Sequence, residues 1–281
     1  MQKRPPKFST KSRRLLAASF VFVALLGSAP SLSAAAAWEN SVSPLVRGSF
    51  PELRPVQTTY RFGWNGISAG TGDIRLAKSP AGFQFQATGG TTGFARTLWK
   101  YDVKHSALSD AQTLRPIQVR EIEHVRSKKL TTDLTFGPQG VVSDREEREG
   151  DSVKSKTRRF NFPNALSLNS ALLFLRTQSL PDGATHRMVV YPATSAYLST
   201  VTVRGRERLT GPTGTYNAIK LDVQLSKIDK KRELQPHKKF RGATVWLSDY
   251  DDRLVLRIET QVFIGTVFAE LESVQFENAK L

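Results

Sequence analysis

The side chains that could do chemistry are few and scattered. The four histidines are His105, His124, His186 and His237, and no two have the i, i+4 spacing with which a helix presents a zinc pair. Each reads as a surface histidine on a strand. Asp249-Tyr250-Asp251-Asp252 offers three carboxylates, but the glycine and terminal glutamate of a calcium loop are missing, so the run reads as a solvated hairpin turn. Gly70-Thr71-Gly72 starts like a dinucleotide fingerprint, lacks the third glycine and leads into a strand; it too reads as a turn. With Cys 0, thiolate metal sites, disulfides and cysteine nucleophiles are excluded together. There is no G-x-S-x-G and no Walker loop, although a triad gathered from distant residues stays open. No catalytic residue, metal ligand or cofactor is assigned.

Charge is the stronger signal. Lys plus Arg is 41 against 25 for Asp plus Glu, a net +16. The run 227–241 holds Lys227, Lys230, Lys231, Arg232, Lys238, Lys239 and Arg241 against Asp229 and Glu233, with Pro236 in its midst, as an exposed loop would. Lys230, Lys231, Arg232, Lys238, Lys239 and Arg241 are the candidates for contact with an anionic membrane surface; the plainer reading is solubilising charge. The run 144–159 mixes acids with bases and reads as a self-compensated hairpin.

Six of the excess cations belong to a leader. Lys3, Arg4, Lys7, Lys11, Arg13 and Arg14 precede the apolar run Leu15–Gly27, and small residues follow to Ala37. A charged start, a short apolar stretch and an Ala-x-Ala site are the parts of a secretory signal peptide. As a helix the apolar run spans only about 20 Å, short of the ~30 Å of a bilayer core. Residues 1–37 are therefore expected to be cleaved on export to the periplasm. Ser12-Arg13-Arg14-Leu15-Leu16 resembles the opening of a twin-arginine signal without its remainder, so Sec export is preferred to Tat. Export removes nucleic acid as a partner and leaves lipid, an anionic membrane surface or another envelope protein.

The elements that must position these residues are mostly strands. Residues 38–56 read as an extended lead-in, punctuated by Pro44, Pro51 and Pro55. From residue 57 onward, period-two alternation recurs in Tyr60/Phe62/Trp64, Phe83/Phe85, Leu130/Leu134/Phe136 and Ile219/Leu221/Val223/Leu225, as in half-buried strands. Turn signals such as Asn65-Gly66 and Pro181-Asp182-Gly183 divide about eleven to thirteen strands joined by short hairpins. One segment breaks the period: Leu168, Ala171, Leu172 and Leu175 fall at helical spacing behind a capping Ser167. A second short helical turn is expected within 94–101. The expected fold is mainly β, a curved antiparallel sheet or half-barrel holding one buried helix, in a single domain over 57–281.

Tyr60, Phe62, Trp64, Phe83 and Phe85 should share one sheet face with Leu172 and Leu175 of the helix. They either pack as a dry core or line a cavity for an acyl chain.

Two stretches resemble a known family. Tyr60-Arg61-Phe62-Gly63-Trp64-Asn65-Gly66-Ile67-Ser68-Ala69-Gly70 resembles the opening strand pair of an exported bacterial family catalogued as domain of unknown function 3108. Val245-Trp246-Leu247-Ser248-Asp249, then Arg253, Arg257-Ile258-Glu259 and Gly265, resemble its closing hairpins. The resemblance covers about residues 57–276 and implies a periplasmic protein with a curved antiparallel sheet related in shape to lipoprotein-carrier half-barrels. It carries no catalytic residues. Within the tail, Asp249 is expected to pair with Arg253 or Arg257 across the hairpin. These readings make the protein a monomeric, non-enzymatic binder or carrier of an apolar envelope ligand, a lipid or lipoprotein acyl chain. The alternatives are a solid-core structural or interaction module and, third, a hydrolase with a scattered triad.

Overall fold

A computed structural model of the protein describes residues 37–50, 53–236, 242–262 and 265–277; the expected leader lies outside them, apart from Ala37. The strands of the first wing are β1 (Val56–Trp64), β2 (Ile67–Ser79), β3 (Gly82–Thr91), β4 (Tyr101–Ser109), β5 (Pro116–Val125), β6 (Lys128–Gly137), β7 (Gly140–Glu149) and β8 (Ser152–Phe160). Those of the second are β9 (Thr185–Val190), β10 (Ala196–Gly211), β11 (Gly214–Ile228), β12 (Leu234–Pro236), β13 (Ala243–Ser248), β14 (Val255–Gln261) and β15 (Thr266–Phe276). Helix α1 (Gly93–Leu98) joins β3 to β4, and α2 (Leu168–Thr177) lies between β8 and β9.

These strands form one antiparallel sheet in the order 8-7-6-5-4-3-2-1-15-14-13-11-10-9, with β12 attached beside β11. The fifteen strands among the described residues exceed the number read from alternation. β8, Ser-Val-Lys-Ser-Lys-Thr-Arg-Arg-Phe, has almost no apolar side to betray it, and β12 has three residues. The sheet is not closed: β8 and β9 are its two edges. The segment after β9 nevertheless reaches the opposite edge, since Ser143 Oγ of β7 donates to Ala193 O at 2.6 Å and Phe160, the last residue of β8, stacks on Tyr191 with centroids 5.9 Å apart. The lead-in covers the β9 edge, its Ser43 N–H donating to Arg187 O at 2.8 Å. Leu166 does the same further along, accepting from Tyr191 N–H at 2.8 Å. Covered edges do not recruit foreign strands.

One buried cluster holds Ala107, Val119, Leu134 and Val141 of the first wing with Val189, Ala196, Leu198 and Ile228 of the second. One face of the sheet therefore curls until its two wings share a core. Helix α2 fills the remainder. Ser167 caps it, its hydroxyl accepting from Ser170 N–H at 3.0 Å. Ala171, Phe174 and Leu175 pack on Val201, Ile219, Leu221 and Leu247, while Leu173 packs with Phe83, Trp246 and Leu271. The buried stripe is rotated from the expected one. Leu168 is 55% exposed and Leu172 is half-buried, because the first turn of α2 lies against a polar part of the sheet, where His105 meets Asn169 at 2.9 Å.

Candidate basic cleft at the open edge

The cations gather where the sheet fails to close. A cleft of 790 Å³ is lined by Lys156, Arg158, Arg159 and Phe160 of β8, by Tyr191 and Ala196, and by Lys227, Ile228, Lys230 and Arg232 around the β11–β12 turn. It wraps the edge strand, so Lys156, Arg158 and Phe160 come from one face of β8 and Arg159 from the other. The volume lies within the range of small-molecule sites.

Its walls carry positive charge that the protein does not neutralise. Among the described residues, none of Lys156, Arg158, Arg159, Lys227 and Lys230 has a carboxylate at ion-pair distance. Arg158 Nη1 is buried without a hydrogen-bond partner. The sole acid of the lining, Asp229, is committed to the turn, accepting from Lys231 N–H and Glu233 N–H at 2.9 Å each. The Glu233 N–H, ahead of the Lys231 contacts, holds that carboxyl below its usual range. Arg232 is a clamp: it pairs with Glu39 at 2.8 Å and lies over the Trp38 and Phe162 rings, while its carbonyl accepts from Trp38 Nε1 at 2.7 Å. The floor is apolar, with Phe160, Tyr191 and Ile228. Burial raises the Tyr191 hydroxyl above its ordinary range against the opposing Ser143 hydrogen bond and Arg158 charge, so it stays neutral. The arrangement can hold an anionic group against an apolar surface.

Of the cations singled out in the sequence, Lys230 and Arg232 line this cleft, and Lys231 sits exposed on the same turn. Lys238, Lys239 and Arg241 fall outside the described residues. The sequence alone does not single out Lys156, Arg158 and Arg159, because 144–159 reads as self-compensated. The acids sit mainly on β7 and the bases on β8, but register puts Arg145 opposite Lys156 and Ser143 opposite Arg158. Glu147 pairs backward to Lys128 at 2.9 Å. The signal was available in Lys154, Lys156, Arg158 and Arg159, four cations in six residues without an acid.

The aromatic set is distributed over separate places. Phe83 is buried with Leu173, Trp246 and Leu271, with Tyr60 packed beside them, and the Tyr60 hydroxyl donates to Val255 O at 2.8 Å. Burial pushes that hydroxyl up to about 12. Phe85 packs on the core shared by the two wings, Leu172 and Leu175 on the set around Ile219 and Leu247, Phe62 covers Gly70, and Trp64 is 44% exposed. These side chains do not meet around one space.

His105 is not the surface histidine expected. It faces inward, with Nδ1 3.0 Å from Glu121 and Nε2 2.9 Å from Asn169 of α2. Burial pulls its pKa down, but the hydrogen bonds to Glu121 and Asn169 and the Glu121 charge outweigh it, leaving the ring above its ordinary value.

The family model described as "Protein of unknown function (DUF3108)" matches residues 59–272. The chain belongs to the DUF3108 family. No curated protein matches it. Among solved structures it resembles a β-barrel-like protein of domain of unknown function DUF1849 from Brucella abortus, with TM-score 0.55 at 10% identity over 82% of this chain and 100% of that one. A DUF1089 family protein from Pseudomonas aeruginosa aligns with TM-score 0.36 at 11% identity over 69% and 90% of the two chains. The first likeness supports the antiparallel, barrel-like fold.

The residues behind the family resemblance do structural work in this DUF3108 chain. Asn65 and Gly66 take positive φ of 48 and 81, as the tight β1–β2 turn requires. Asn65 Oδ1 accepts from Thr266 N–H at 2.8 Å, beside Gly265, where any Cβ would lie 2.1 Å from that side chain. In the tail, Trp246 Nε1 donates to Glu207 at 2.6 Å and Ser248 Oγ accepts from Leu254 N–H at 2.8 Å. Asp249 pairs with Arg206 of β10 at 3.0 Å rather than across its own hairpin. Arg253 is instead buried, its guanidinium 3.8 Å from the Phe50 ring centroid, and Arg257 pairs with Glu259 and Glu270.

Proposed function

We propose that this protein is a non-enzymatic binder of an anionic lipid in the bacterial envelope, reached by export through the Sec route, with the headgroup held in the basic cleft. The observation that carries this is the set of five uncompensated cations around a cleft floored by Phe160, Tyr191 and Ile228. Phosphate or carboxylate oxygens suit those donors, since charge-assisted hydrogen bonds are the stronger kind. The apolar floor suits the first carbons of an acyl chain. The ligand thus sits at the sheet's open edge and not among the aromatic residues of β1 and β3, of which Tyr60, Phe83 and Phe85 pack into two separate clusters and Trp64 is exposed. No step of bond making or breaking is assigned to the cleft.

The test is calorimetric titration with monomeric dihexanoyl phosphatidylglycerol, with dihexanoyl phosphatidylcholine as control. Saturable binding of the first and an affinity at least about tenfold lower for a Lys156→Ser/Arg159→Ser/Lys230→Ser variant are expected. Equal affinity of variant and wild type, or no heat with the anionic lipid, would refute the proposal.

A further inference from the structure

Helix α1 buries none of its residues. Its arginine is tied back to the sheet: Arg96 donates to Thr91 O at 3.1 Å and to both Asp102 oxygens at 2.7 and 2.9 Å. Its apolar side chains turn to solvent, with Phe94 77% and Leu98 64% exposed and Trp99, just beyond, 57%. The anchoring bond from Thr92 N–H to Ala69 O, 2.9 Å, fixes this helix beside the upper end of β2. There the cross-strand row Val267–Trp64–Ile67 presents three more apolar side chains to solvent. Of the thirteen exposed large apolar residues among those described, six stand at this one end of the sheet. A scattering of single apolar residues needs no explanation, whereas a contiguous patch marks an interaction surface.

The rim identifies the occupant. The backbone bond from Arg126 N–H to Lys100 O, 2.9 Å, sets the β5–β6 turn against the end of α1. Lys100, Lys104 and Arg126 have no carboxylate at ion-pair distance among the described residues, and the nearby Asp102 is already closed by Arg96. Tryptophans and bulky aliphatic side chains at the tip, with cations behind them, match the order of layers at an anionic bilayer: acyl boundary first, headgroup phosphates second. A second copy of the chain fits poorly, because a two-fold contact through this surface would set its own cations against each other.

We infer that this end of the sheet, Trp64, Ile67, Phe94, Leu98 and Trp99 with Lys100 and Arg126, inserts into the interface of an anionic membrane. The site is separate from the basic cleft and does not depend on what the cleft binds. Tryptophan fluorescence tests it without mutation, since Trp38 and Trp246 are buried while Trp64 and Trp99 are exposed. Vesicles of phosphatidylglycerol and phosphatidylethanolamine should shift the emission to the blue, and brominated acyl chains should quench it; phosphatidylcholine vesicles should do neither. A Phe94→Ser/Leu98→Ser/Trp99→Ser variant should bind these vesicles at least about tenfold more weakly, whereas Lys156→Ser/Lys230→Ser should keep the quench. Emission unmoved by the anionic vesicles, or a triple variant that floats with them as wild type does, would overturn the inference. So would a concentration-dependent dimer in vesicle-free buffer that the same triple variant dissolves.

Discussion

Truncating helix α2 one leucine at a time should produce a stability gradient set by its orientation. Leu173 is 3% exposed and packs between Leu53, Phe83, Trp246 and Leu271, where the surrounding strands cannot collapse into a gap. Leu173→Ala should therefore cost about 3–5 kcal/mol, the upper part of the range for a fully buried leucine. Leu172 is half-buried at the margin of the set around Ile219 and Leu247 and should cost about 1–2 kcal/mol, less of its area having left water. Leu168 is 55% exposed, and alanine is at least as good a helix former, so Leu168→Ala should fall within about 0.5 kcal/mol of wild type. Urea midpoints at constant m measure all three. Equal losses at 168 and 173, or a larger loss at 172 than at 173, would mean that the helix presents the face its sequence periodicity suggests and not the one described here.

Two further outcomes follow from close contacts. The His105 pKa is raised in the folded state by Glu121 and Asn169 against burial, so its contribution to stability is full below about pH 6.5, the unfolded value, and is lost as pH rises through the folded value. The urea midpoint of wild type, less that of His105→Gln, should decline over that window and flatten on either side; a flat difference refutes the contact. A Cβ on Gly70 would stand 2.1 Å from Gly90 O and 2.5 Å from the Phe62 ring. Gly70→Ala should consequently cost about 2–3 kcal/mol by overpacking, and an unchanged thermal midpoint would show that Phe62 does not lie over it.

Much of the fold was legible because its strands are amphipathic across the sheet. Ile219, Leu221 and Val223 alternate with Lys220 and Asp222, and the observed burial follows. The meander was legible because its turns are short and marked by Asn-Gly or Gly. What failed were the places where a strand is polar on both sides or amphipathic along its length. β8 is exposed over most of its residues, so its charges mark a hairpin while period-two counting cannot say which of its faces meets the rest of the sheet. β4 and β5 bury Ala107 and Val119 at one end and place His105 and Glu121 on the same face further up, so an inward histidine looks like an outward one. The cleft was half legible. Lys230 and Arg232 announced a charged loop, but their meeting with Lys156 and Arg158 depends on a curl that brings residues some seventy positions apart together, and no local pattern encodes that.

Cations on β8 have a second physical rationale, since lysine and arginine on an edge strand discourage pairing with another chain. The two roles separate by wall. Edge protection requires Lys156, Arg158 and Arg159, which stand on the edge strand itself, and makes no use of the facing wall, where Lys227 lies on β11 between β10 and β12 and Lys230 sits in the turn that follows. A Lys227→Ser/Lys230→Ser variant should therefore remain as monodisperse as wild type while its affinity for dihexanoyl phosphatidylglycerol falls about tenfold. Replacing Lys156 and Arg158 with threonine, which favours strands and carries no charge, should weaken lipid binding and also raise aggregation, because it removes both functions at once. If the facing-wall variant binds lipid like wild type while the threonine variant only aggregates, the positive charge of β8 guards an edge, and the cleft is the space left beside it.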